Sequence, residues 1–118
     1  MNRIILEERT KKFNIEVIKL CECFPRNAAG YEIAKQLIRS ASSVGSNYRA
    51  TKRAKSTADF IYKIEIVLEE ADESHYWLEI VRDSNLKTGP EIDKLIREAS
   101  ELTAIFAATD KSAKKNNK

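Results

Sequence analysis

What most constrains this chain is that each of four long segments carries a stripe of apolar residues at steps of three and four. Phe13, Val17, Leu20 and Phe24 step four, three, four; Ile92, Leu95, Ala99, Leu102 and Phe106 step three, four, three, four. Such spacing puts a stripe on one side of an α-helix and scatters the same residues over both faces of a strand, so it selects helices. Only three Gly and two Pro interrupt 118 residues. The expectation is therefore all-α and a single domain, long enough to bury a core without disulfides or metal.

Four helices are read at about 4–24, 29–54, 58–84 and 89–110. The first stops at "PRNAAG", where Pro25 cannot continue a helix. The second places Ile33, Leu37, Ala41, Val44 and Tyr48 on one face. In the third the inner stripe is Phe60, Ile64, Val67, Ala71 and Leu78, with Ser56 or Thr57 as cap and Asp59 in the first turn. "SNLKTG" turns the chain, and the fourth helix opens on "TGPE", read as Thr88 at the N-cap, Pro90 in the first turn and Glu91 closing a capping box. Heptad-like spacing and short loops imply an antiparallel up-down-up-down four-helix bundle over 1–110. Residues 111–118, "KSAKKNNK", read as a basic, fraying tail.

No apolar run approaches the roughly 20 residues that span a bilayer, and "MNRIILEERTKKF" lacks the features of a secretory signal. A cytoplasmic protein with no membrane contact is expected. Cys21 and Cys23 are two apart, point to different sides of a helix and do not readily bridge. No catalytic constellation is found. Glu69, Glu70 and Glu73 cluster, but no Glu-x-x-His pair faces them, His75 is the single histidine, and no phosphate loop or nucleophile elbow is present. The chain is not expected to be an enzyme, and no metal or cofactor is expected.

Helix two carries the strongest functional signal. Between Ile33 and Ala58 stand six Lys/Arg and no acid. Lys35, Arg39, Ser42, Ser46, Arg49 and Arg53 step four, three, four, three, four, a stripe opposite the apolar face, with Lys52 and Lys55 nearby. Phosphate oxygens are its natural complement, which points to RNA or DNA bound without sequence reading. Two other readings compete. Cations near a helix C-terminus are favoured by its dipole, and the seven acids between Glu65 and Asp83 are available to pair with the stripe. Beside the apolar face, Ser40, Ser43, Asn47 and Ala54 read as a tight helix seam, and Gly45 as a close approach or bend.

Helix three is apolar on two sides. Tyr62, Ile66, Trp77 and Ile80 lie roughly opposite the inner stripe, and Trp and Tyr are favoured at interfaces, so self-association is expected unless a neighbouring helix covers them.

The stretch from Gln36 to Val81 resembles a known family. "IRSASSVGSN", then "KSTADF", then "EEADESHYWLE" are similar in order and spacing to the four-helix-bundle proteins associated with intervening sequences of bacterial 23S rRNA genes, and the likeness extends from about Phe13 into helix four. Many members carry Ala-Glu-Gly after the Asn, where this chain has Tyr48, Arg49 and Ala50 and is more basic. The resemblance implies a cytosolic all-α bundle assembling as a homopentamer. Relatives in fold that accompany diversity-generating retroelements form basic pentamers contacting nucleic acid and a reverse transcriptase, so by analogy such a protein partner is implied here. Without nucleic-acid contact, the same residues describe an oligomeric scaffold or protein-partner-binding module whose basic stripe meets an acidic protein surface.

Overall fold

Each helix of this protein begins or ends on an identifiable local device. The computed structural model describes residues 1–116. Helix α1 spans Arg3–Cys21, and Asn2 Oδ1 accepts from the Ile5 N–H at 2.9 Å. Helix α2 spans Ala28–Ala50, where Asn27 Oδ1 accepts from Gly30 N–H at 2.8 Å. A 3-10 turn, Thr51–Arg53, follows. Helix α3 spans Thr57–Asp83, with Ser56 Oγ accepting from Asp59 N–H and Asp59 Oδ2 accepting from Lys55 N–H, each at 3.0 Å. The pair differs from a capping box in that Asp59 reaches one residue further back, to Lys55 rather than to the N–H of the N-cap Ser56 itself. Helix α4 spans Pro90–Asn116.

The boundaries differ from the sequence reading in four main places. Helix α1 stops at Cys21 rather than 24, because the chain tightens there, with Cys23 N–H donating to Leu20 C=O and Phe24 N–H to Cys21 C=O. Helix α2 stops at Ala50 rather than 54, because the chain tightens into the 3-10 turn and Ala54 is extended. Helix α4 runs to Asn116, past the expected end at 110, because Asp110 prolongs the buried stripe one turn beyond Phe106. The expected fraying tail is thus helical over 111–116, and 117–118 lie outside the described residues. Finally, α4 starts at Pro90, so Gly89 and not Thr88 stands at the N-cap position; its φ of +118° suits glycine alone. Between α3 and α4, Asn85 adopts φ 61° and Leu86 N–H reaches back to Val81 C=O at 3.0 Å, a Schellman closure whose Leu86 packs on the core.

The helices run up-down-up-down around one core, 49 Å long and about 20 Å across. Sequential helices are neighbours, α1 also meets α4, and α1 and α3 sit on opposite corners. The stripes of α1 and α4 are buried as read. On α3, Ile61 is buried where Phe60 was expected, Phe60 is half-buried and packs against the core, and Ser74 and Val81 complete the stripe. The α2–α3 seam closes on small residues: Ser74 Oγ donates to Ser40 Oγ at 3.0 Å, and both are buried. Gly45 faces Thr10 of α1, so its role is close approach.

Candidate nucleic-acid interface

The basic stripe of α2 divides into two halves with different surroundings. In the first, Arg39 Nη1 donates to Glu70 Oε2 at 3.1 Å and Nη2 donates to the Glu73 carboxylate, which also accepts from Trp77 Nε1 at 3.2 Å. Burial pushes the Glu70 carboxyl up, outweighing the opposite pull of Arg39. Arg39 is exposed, and its charge is paired with α3 across the outer edge of the α2–α3 seam. Lys35, in the same half, is exposed and makes no ion pair among the described residues.

The second half lies at the end of the bundle where α1 and α3 start and α2 and α4 stop. Thr51 pins it. Buried, it donates from Oγ1 to Tyr48 C=O at 2.6 Å and accepts from Arg3 Nη2 at 2.7 Å, while the Arg3 guanidinium lies 4.9 Å above the Tyr48 ring. Around this clamp Arg49, Arg53 and Lys55 are exposed and have no ion-pair partner among the described residues; Lys52 lies 3.2 Å from Glu7. Arg49 and Arg53 line a groove of about 720 Å³ between α2 and α1, whose opposite wall carries Glu8 and Lys11. Ser46 shares their wall, whereas Ser42 Oγ already donates to Arg39 C=O.

Helix α4 brings further cations to the same end. Lys111 and Lys115 are exposed and unpaired among the described residues, and Lys114 pairs with Asp110 at 2.9 Å and Glu65 at 3.2 Å. Residues 48–63 hold five Lys/Arg against Asp59, whereas residues 69–83, most of them toward the other end, hold six acids against Arg82. The net charge of +3 conceals this lengthwise polarity. Sequence reading missed Lys111 and Lys115 because it took them for tail; the available signal was Asp110, four residues after Phe106.

On the outer side of α3, Tyr62 is exposed and Ile66, Trp77 and Ile80 are half-buried. Trp77 leans onto the core and meets the Tyr76 ring edge-on at 5.1 Å. Tyr76, not singled out from the sequence, is 53% exposed. Among the described residues no three His, Cys, Asp or Glu side chains converge on a metal-sized site. Cys21 and Cys23 are both free, and burial pushes the Cys21 thiol up to about 12, leaving it protonated at neutral pH and a poor nucleophile. No described helix is long and apolar enough to cross a membrane.

Comparison with solved structures finds the same bundle in a protein of unknown function from the S23 ribosomal protein family of Bacteroides thetaiotaomicron, determined at 1.70 Å. The two chains are 27% identical with a TM-score of 0.84, over 94% of this chain and 99% of the other. None of the curated proteins matches. The family described as 23S rRNA-intervening sequence protein matches residues 3–108, which take in α1 to α3, both halves of the α2 stripe and α4 as far as residue 108. The chain therefore belongs to the 23S rRNA-intervening sequence protein family.

Proposed function

We propose that this protein is a non-enzymatic, self-associating helical bundle that holds nucleic-acid phosphates at its basic end. The observation that supports this most is the set of exposed cations without ion-pair partners gathered there from two helices: Arg49, Arg53 and Lys55 around the end of α2, Lys111 and Lys115 on α4. Partnerless guanidinium and ammonium groups release counterions when they meet phosphates, and contacts of this kind carry no base information. The contact surface is thus the end of the bundle and not the whole length of the α2 stripe, since Arg39 is held by α3.

The test is the salt dependence of binding to mixed-sequence RNA and DNA. Log affinity falls linearly with log salt, and Arg49→Glu with Arg53→Glu reduces that slope by about two, whereas Lys35→Glu leaves it nearly unchanged. No binding at low salt, or an unchanged slope in the double variant, defeats the reading.

A second reading has its own observation. Glu7 and Glu8 stand in the α1–α2 groove beside Arg49 and Arg53, and mixed charge suits an acidic and basic protein surface better than a polyanion. In that case the assembly serves as a scaffold for a protein partner and is indifferent to RNA.

A further inference from the structure

At the basic end of the bundle one acid stands apart from the others. Glu7 pairs with Lys52, Asp59 with Lys63, and Asp110 and Glu65 share Lys114. Further along α4, Glu98 and Glu101 are both taken by Arg9. Glu8 is exposed and has no ion-pair or hydrogen-bond partner among the described residues.

Glu8 lines the α1–α2 groove beside Lys11, across from Arg49, Arg53 and Ser46. Neither guanidinium has an ion-pair partner among the described residues, so a carboxylate and two opposite charges share one groove without meeting. The reason is room. The groove holds about 720 Å³, and Gly45, which faces Thr10 across the seam, puts no side chain between the walls. Opposite charges held apart in one cleft suit a ligand that presents an anion to one wall and a hydrogen-bond donor to the other.

The two nucleic acids differ in that respect. Both bring phosphate to Arg49 and Arg53. A carboxylate accepts hydrogen bonds and donates none, so toward a phosphate backbone alone Glu8 is repulsive. RNA carries in addition a 2′-hydroxyl on the sugar carbon next to the one that bears the phosphate, and this hydroxyl donates to a carboxylate in a charge-assisted bond, as ribose hydroxyls do to acidic side chains at dinucleotide sites. Donors on the bases are common to both polymers and do not separate them.

We infer that Glu8 makes this groove select RNA over DNA: it accepts the 2′-hydroxyl of a ribose whose phosphate is held by Arg49 and Arg53, and it repels a backbone that offers phosphate without hydroxyl. The inference deepens the nucleic-acid reading proposed above and rests on it. The mixed charge of the groove, which counts against a bare polyanion, is then the source of its selectivity.

The test compares three single strands of one length and one base by fluorescence anisotropy at low salt: oligouridylate, its 2′-deoxy counterpart and its 2′-O-methyl counterpart, which keeps the 2′-oxygen and loses its proton. The unaltered protein is expected to bind oligouridylate about tenfold more tightly than either of the others. In Glu8→Ala, an exposed position where circular dichroism verifies that the chain stays helical, the deoxy strand gains affinity, the RNA does not, and the three strands bind alike. Equal binding of all three by the unaltered protein overturns the inference while the phosphate reading stands. So does a Glu8→Ala protein that binds every strand more tightly with the preference kept, since Glu8 then acts as a charge and nothing more. No binding of any strand overturns the phosphate reading and this inference together.

Discussion

The two halves of α2 carry the same kind of residue at the same spacing and end in opposite circumstances. Arg39, in the first half, faces Glu70 and Glu73 of α3 and is neutralised by them. Arg49 and Arg53, at the second half's end, face a groove and solvent, because the α3 acids stand further along the bundle and α1 offers Glu7 to Lys52 instead. The glycines differ in the same way. A Cβ on Gly30 would lie 2.0 Å from the Pro25 carbonyl oxygen, while a Cβ on Gly45 would meet Thr10 Oγ1 at 3.4 Å, ordinary contact. Helical periodicity assigns a residue to a face; what the adjoining helix presents there decides whether the residue is spent on the fold or left for binding.

The sharpest way to break this comparison is Gly30→Ala. Its methyl collides with backbone that cannot turn aside, so unfolding should cost about 3 kcal/mol less than in the unaltered protein, measured by denaturant titration. A variant of undiminished stability shows that the α1–α2 turn has room. Next comes Arg49→Glu with Arg53→Glu, whose effect belongs on nucleic-acid binding and its salt slope while the melting temperature hardly moves. The converse pattern assigns this half to stability, like the first.

Gly45→Ala should raise stability by up to about 1 kcal/mol, because the methyl fits and the helix loses a flexible residue. Destabilisation means that α1 and α2 approach too closely there for any side chain. Arg39→Gln should cost about 0.5 kcal/mol, the scale of a half-exposed ion pair, and leave RNA affinity unchanged. Lost affinity returns Arg39 to the binding surface.

The smallest effect concerns the cap between the halves and α3. The Lys55 N–H first, and Lys63 second, hold the Asp59 carboxyl below its ordinary 3.8. A lowered carboxyl stabilises the fold above its unfolded value, so this contribution is complete above 3.8 and disappears as the pH falls through the lower folded value. Asp59→Ala should therefore flatten the acid limb of the stability profile and leave the cations of the second half in place. An unaltered acid limb removes Asp59 from the cap.

Much of the fold was legible because each helix writes its own core stripe: Phe13, Val17 and Leu20, or Ile92, Leu95 and Phe106, needed no knowledge of their neighbours. The misses fell where a residue's position depends on another segment. Phe60 and Ile61 are adjacent, and only packing settled that Ile61 is buried and Phe60 half-buried against the core. Packing also set how far each outer ring of α3 is exposed: Trp77, expected at an interface, is half-buried against the core and donates to Glu73, and Tyr76 is the more exposed ring beside it. Lys111 and Lys115 read as tail because basic composition without apolar residues gives no helical period, although Asp110 carries the buried stripe toward them.

By itself the sequence determined four amphipathic helices, their order and turns, the side of each that is apolar, and the family, since these depend on local periodicity and motif. Tertiary structure alone decided the charge pattern. Whether a cation is paired, and whether cations far apart in the chain share one end of the bundle, depends on distances between helices, and those are set by how the stripes pack.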